Sequence, residues 1–190
     1  MFIDITLKIT PKLIENVQGS EVKLLTNNGH IGTHFDVMDK EFPLEYVERP
    51  GIVFDVSGVG TAREISTDDI DLSKVKADMF VAFYSGFIEK HEYGTQAYFS
   101  GHPHLAVALI EELLARKISI IGVDFAGVRR GQEHTPMDQR CADRGVFVIE
   151  NLCNLKTILG DAPAAFFTAN TYPINYTGMS GLPCRVVAKM

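Results

Sequence analysis

Apolar residues fall along this chain in two rhythms. Short runs rich in Val, Ile and Phe occupy Phe2–Lys8, Gly51–Val56, Met79–Tyr84, Ile118–Val123, Gly145–Ile149, Ala164–Thr168 and Cys184–Ala188. Runs of this length and composition predict β-strands. The second rhythm is helical and clearest over Pro103–Lys117, where Leu105, Leu109, Ile110, Leu113 and Leu114 share one broad face and Glu111 and Glu112 lie off it. Pro103 suits a first helical turn, and Arg116 and Lys117 complement the negative end of the helix. A shorter helix is predicted over Pro136–Arg144, stopped by Gly145. Strand, helix and strand between Met79 and Val123 make a βαβ unit, whereas the N-terminal third is rich in strands and turns. The pattern predicts an α/β fold with mixed β-sheets and packed helices, an antiparallel part preceding a parallel part. Thr67-Asp68-Asp69 and Asp71-Leu72-Ser73 read as helix or turn starts whose acidic residues cap or face solvent. Phe80, Phe83, Phe166 and Phe167 sit inside apolar strands and are expected in the core.

Composition narrows the function classes. The chain has 190 residues, 46% of them hydrophobic and 22% charged, which fits one globular domain spanning 1–190 with a substantial core. The formal net charge of -6 without a basic cluster argues against nucleic-acid binding. No apolar run approaches a membrane span, and the start Met1-Phe2-Ile3-Asp4-Ile5 lacks the pattern of a signal peptide. Cys141, Cys153 and Cys184 are widely spaced and odd in number, as expected of reduced, buried thiols in a cytoplasmic protein.

The chemistry concentrates in His30-Ile31-Gly32-Thr33-His34-Phe35-Asp36. Its two imidazoles and carboxylate stand at even offsets, which share a face in extended chain. Imidazole nitrogen and carboxylate oxygen are ligands suited to zinc and related divalent metals. A straight strand would hold His30 and His34 about 13 Å apart, so joint ligation requires a kink, which Gly32 permits. Asn27-Asn28-Gly29 reads as a turn leading into this run.

His30-x-Gly-Thr-His34-x-Asp36 resembles the signature of the cyclase family of metal-dependent hydrolases, a family that includes bacterial kynurenine formamidase and isatin hydrolase. Further stretches match that family in order: Tyr98-Phe99-Ser100-Gly101-His102-Pro103, Ile121-Gly122-Val123-Asp124, Gly145-Val146-Phe147-Val148-Ile149-Glu150-Asn151-Leu152-Cys153-Asn154-Leu155, and Gly181-Leu182-Pro183-Cys184-Arg185-Val186-Val187-Ala188. The resemblance implies a swivelling β/β/α-like fold and a homodimer or larger homo-oligomer. It also implies zinc or manganese held by His30, His34, Asp36 and Glu150, and hydrolysis of a small amide or lactam.

The chain departs from the family pattern at two functional positions. Met38 and Lys40 stand where the family has a proline and its third histidine, the usual proton-transfer group. Asp138 stands where another metal-binding histidine is expected, with His134 one helical turn earlier, and either residue type suits a second metal. Candidates for protonating the leaving nitrogen are Glu150, Lys40, His102 and His134. Arg129-Arg130 is a candidate contact for a substrate carboxylate, while His91 and His104 are expected to be exposed. Two other readings stay open: a member that binds a small molecule or metal without hydrolysing it, and a metal-assisted cyclase or dehydratase.

Overall fold

The apolar runs become strands of one sheet that closes on itself. The computed structural model describes residues 1–18 and 27–190. Among the described residues there are eight strands, β1 (Phe2–Asp4), β2 (His34–Asp36), β3 (Glu48–Asp55), β4 (Phe80–Tyr84), β5 (Ile120–Val123), β6 (Phe147–Glu150), β7 (Ala164–Pro173) and β8 (Gly181–Lys189). The circuit runs β8-β2-β6-β5-β4-β3-β7, and β7 pairs back onto β8. β3, β4, β5 and β6 are mutually parallel, and the remaining pairings are antiparallel. Nine-residue β8 closes the ring because one of its edges serves two short strands: Phe35 of β2 faces Leu182, and Ile3 of β1 faces Ala188.

Alternation along the strands builds two cores. Phe35, Val53, Phe80, Ile120, Ile149, Phe167 and Val186, one from each closed strand, belong to a single buried cluster inside the ring. The intervening residues Ile52, Val81, Phe83, Ile121, Val123 and Val148 pack instead against helices on the outside. Burial on both faces explains why the parallel strands read as continuous apolar runs rather than alternating ones.

The α-helices lying wholly within the described residues are α1 (Pro11–Gln18), α2 (Phe87–Lys90), α3 (Gln96–Gly101), α4 (Val107–Ala115), α5 (His134–Asp143) and α6 (Leu155–Leu159). On α4, Leu109, Ile110, Leu113 and Leu114 are buried against the outer core as the helical pattern requires. Each such side chain contributes about 1.5–3 kcal/mol on burial. The helix starts later than expected. Leu105 pairs in a β-bridge with Ile65, and Ala106 donates its N–H to the Ile65 carbonyl, so Pro103 lies in extended chain ahead of α4. Helix α5 ends as expected before Gly145, whose φ is +72°. Ser66 forms a capping box with Asp69, and Asp71 accepts from the Ser73 N–H, consistent with their reading as caps.

Three expectations need correction. Phe166 is 58% exposed, because on β7 it alternates with buried Phe167. His104 is half-buried and its Nε2 lies 3.2 Å from Glu64 Oε1. Arg129 is buried and fully engaged, donating to Glu64, Glu133 and the Leu105 carbonyl, so it is unavailable to a substrate carboxylate. The thiols of Cys141 and Cys184 are buried and that of Cys153 is partly so, and burial pushes all three up out of their reactive range. No helix among the described residues is long and apolar enough to cross a membrane.

Candidate metal centre

The site forms where β2 and β6 meet the first turns of α5. His34 and Asp36 alternate with Phe35, so both turn outward from the ring toward α5. In the β2–β6 ladder His34 stands directly opposite Glu150, the last residue of β6. His134 and Asp138, four residues apart on α5, share one face of that helix and lean onto the same spot.

The expected kink before β2 is present. His30 lies outside the strand, and Gly32 has φ +63°. It is this left-handed conformation that favours glycine here, since a Cβ at Gly32 would meet only the outer end of the Ile9 side chain, which can shift. The Asn28 turn is tied to β8 by the Gly181 N–H donating to the Asn28 carbonyl at 2.9 Å. Gly181 lacks the Cβ that would sit 2.8 Å from the His30 ring, which lets His30 swing inward.

His30 Nδ1 is thereby 3.2 Å from His34 Nε2 and 2.8 Å from Asp36 Oδ1, and His34 Nε2 is 3.5 Å from that same oxygen. Donor atoms around a four-coordinate zinc sit about 3.4 Å apart. Each imidazole has its other nitrogen occupied: His34 Nδ1 faces the Gly32 carbonyl at 2.9 Å, and His30 Nε2 the Ser180 hydroxyl at 2.9 Å. Such outer partners fix which nitrogen is presented to a metal.

A second group overlaps the first. His134 Nε2 lies 3.1 Å from both Asp138 Oδ2 and Glu150 Oε1, and Asp36, His134 and Asp138 bring ligand atoms within 4.8 Å of one another. Asp36 belongs to both groups. Asp36 Oδ2 and Asp138 Oδ1 are buried with no hydrogen-bond partner. A buried acceptor left unpaired costs about 1–3 kcal/mol, more when charged, so the donor set is chemically suited to a divalent cation.

Charge at the site follows from this crowding. Burial favours neutral His34, but the Asp36 and Glu150 carboxylates outweigh it and raise its pKa to about 9. Burial likewise opposes ionised Asp36, yet His34 and His30 hold it well below the usual carboxylate range. Asp138 is pushed up to about 7, by burial first and then by neighbouring Asp36 and Glu150 against the hydrogen bond from His134. His134 rises to about 12 because Asp138 and Glu150 overcome its desolvation.

The cluster lines a cavity of 290 Å³ whose apolar wall includes Met38, Tyr93, Phe99 and Ala126. Through Asn28, Met38 and Ser180 it adjoins a larger cleft of 1010 Å³. Lys40 is not brought into the cluster. It is 37% exposed, its ammonium sits 2.8 Å from Asp143 and 3.0 Å from Asp39, and these two carboxylates hold its pKa above the ordinary value. His102 is also apart. It is buried, stacked on Phe125, with Nδ1 2.6 Å from the Pro103 carbonyl, and burial lowers its pKa to about 4. Neither Arg129 nor Arg130 lines the cavity. Tyr93, Asn151 and Ser180, all on its wall, escape local sequence reading because they come from three distant segments.

A family model described as "Putative cyclase" matches residues 3–129. No curated protein matches the chain. Among solved structures, a potential metal-dependent hydrolase with cyclase activity superposes with TM-score 0.75 at 22% identity, covering 99% of this chain and 96% of its own. A predicted metal-dependent hydrolase from Bacillus stearothermophilus gives TM-score 0.71 at 20% identity, covering 99% and 97%. Isatin hydrolase A from Labrenzia aggregata gives 0.68 at 19% identity, covering 83% and 72%. At these identities the likeness is one of fold.

Proposed function

Since this chain belongs to the Putative cyclase family, we propose that it is a metal-dependent hydrolase of a small amide or lactam, working at the cluster of His30, His34 and Asp36. The observation that carries the reading is Asp36, a buried carboxylate within reach of two histidines whose Oδ2 has no partner. These three residues would hold one zinc or manganese ion. A bound divalent ion supplies Lewis acidity, lowering the pKa of water and polarising a carbonyl.

The protein's own groups supply the rest. Gly32 and Ser180 orient the two imidazoles. Tyr93, Phe99 and Ala126 offer an apolar wall to the body of the substrate and limit the water around the scissile bond. His134, 34% exposed at its side chain, holds a proton on Nε2 between Glu150 and Asp138. It is the group placed to pass that proton to the departing nitrogen, with Glu150 beside it to take one up. A second ion among Asp36, His134 and Asp138 would occupy this nitrogen, so the proton-transfer role belongs to a one-ion centre.

The outward position of Lys40 favours a second reading, a family member that binds a small molecule without hydrolysing it. Elemental analysis of purified protein, paired with His34→Ala and a panel of N-formyl amides and lactams, separates them. About one equivalent of zinc or manganese, lost in His34→Ala together with turnover, is expected. Turnover retained by His34→Ala would refute the assignment, and bound metal without turnover of any panel member would favour the binding reading.

A further inference from the structure

We propose that Asn151 is a positioning residue for the metal centre, holding His34 in place through the carbonyl of Gly32. The inference rests on reading His34 as a metal ligand. Asn151 follows Glu150, is 1% exposed, and turns back with φ 59°. Its Nδ2 donates to the Gly32 carbonyl at 2.8 Å, the same oxygen that lies 2.9 Å from His34 Nδ1. One backbone oxygen therefore joins the asparagine amide to the imidazole, and His34 Nε2 is left free to face the cluster.

The amide has only one orientation here. The Gly32 carbonyl can only accept, so the Nδ2 end must point at it, and the fully buried Tyr98 hydroxyl then donates to Asn151 Oδ1 at 2.7 Å. The neighbouring peptide groups are held as well. The Gly32 N–H donates to Tyr93 Oη at 2.8 Å, and Thr33 Oγ1 donates to the Asn151 carbonyl at 2.7 Å. Gly32 is the residue whose backbone rotates most freely. Rotation of its peptide would carry the carbonyl, and with it the His34 ring, out of line. Asn151 opposes that rotation, and Tyr98 keeps Asn151 correctly turned. The outer nitrogen of His30, by contrast, faces the Ser180 hydroxyl on the wall of the cavity.

A matched control lies three residues away. Asn154 is also left-handed, with φ 56°, but its Nδ2 donates to the Asp4 carbonyl at 2.8 Å, away from the cluster. Glycine at either position removes the amide without forcing an ordinary side chain into positive φ. The experiment measures zinc affinity by chelator competition in wild type, Asn151→Gly and Asn154→Gly, with metal-free melting temperatures alongside. Outer-shell partners of metal-binding histidines typically control affinity by about 10–100-fold. Asn151→Gly is expected to weaken zinc by about that factor and Asn154→Gly by less than about twofold. Tyr98→Phe, which keeps the ring and deletes the hydroxyl, should weaken zinc in the same direction and serves if Asn151→Gly does not fold. Wild-type affinity in Asn151→Gly or Tyr98→Phe, or an equal loss in Asn154→Gly, would overturn the inference. A wild-type protein that takes up no zinc or manganese would instead overturn the metal-centre reading itself.

Discussion

In the metal-free protein, raising the pH should remove stability through His34. This side chain is 3% exposed, with Asp36 Oδ1 at 3.5 Å and Glu150 Oε2 at 3.6 Å from Nε2. The folded pKa of about 9 compares with an ordinary value of 6.5. A gap of about 2.5 units, at about 1.4 kcal/mol per unit, corresponds to roughly 3 kcal/mol. The folded value is raised, so the contribution is fully present below pH 6.5 and is lost as pH climbs through 9. The depression of Asp36 is the same attraction seen from the other partner and is not added to it. Cys141, Cys153 and Cys184, held protonated by burial, lose stability over part of the same range, but do so regardless of residue 34. Urea unfolding of wild type and His34→Gln in EDTA, from pH 6 to pH 10, therefore isolates the histidine by difference. Wild type should lose roughly 3 kcal/mol more than the variant across that range. Parallel profiles would refute the electrostatic account. Saturating zinc should reverse the trend, because the metal must displace a proton from His34 and its apparent affinity rises with pH up to about 9.

Two further outcomes follow from the geometry. Lys40→Ala should change zinc affinity and any hydrolytic kcat/KM by less than about twofold, since the ammonium is spent on Asp39 and Asp143. A tenfold loss in either measurement would return Lys40 to the site. Gly122→Ala should destabilise the fold by about 1–3 kcal/mol in urea titration, because the added Cβ would lie 2.7 Å from the Phe80 ring and 2.8 Å from Leu152; an unchanged midpoint would show that the ring interior can yield.

Much of this protein is written in short-range pattern. Strand runs and the helix of Val107–Ala115 are legible because each buried face needs an unbroken local period of apolar residues. The convergence of His30, His34 and Asp36 is legible for a related reason: seven residues with one glycine leave few ways to bring such donors together. Three-residue β2 is too short to announce itself by periodicity, and its strand state is imposed by β6 and β8 on either side.

What lies beyond the local window was decided by the closed sheet. Leu105 reads as the first apolar residue of a helix, but a bridge to Ile65 claims it. Lys40 falls four residues after Asp36 and reads as a neighbour of the site, yet two surface carboxylates draw its ammonium away, since a solvated ion pair costs less than burying an amine. His134 and Asp138 announce a shared helix face by their spacing, whereas only the packing of that helix against β6 determines that the face meets Asp36 and Glu150. Asn151 carries no signal of its role, because its two partners lie 53 and 119 residues away in the chain. Local sequence specifies which side chains can share a face, while the ring of strands sets which faces meet. A hydrogen bond or a metal ligand depends on that meeting to within a few tenths of an ångström.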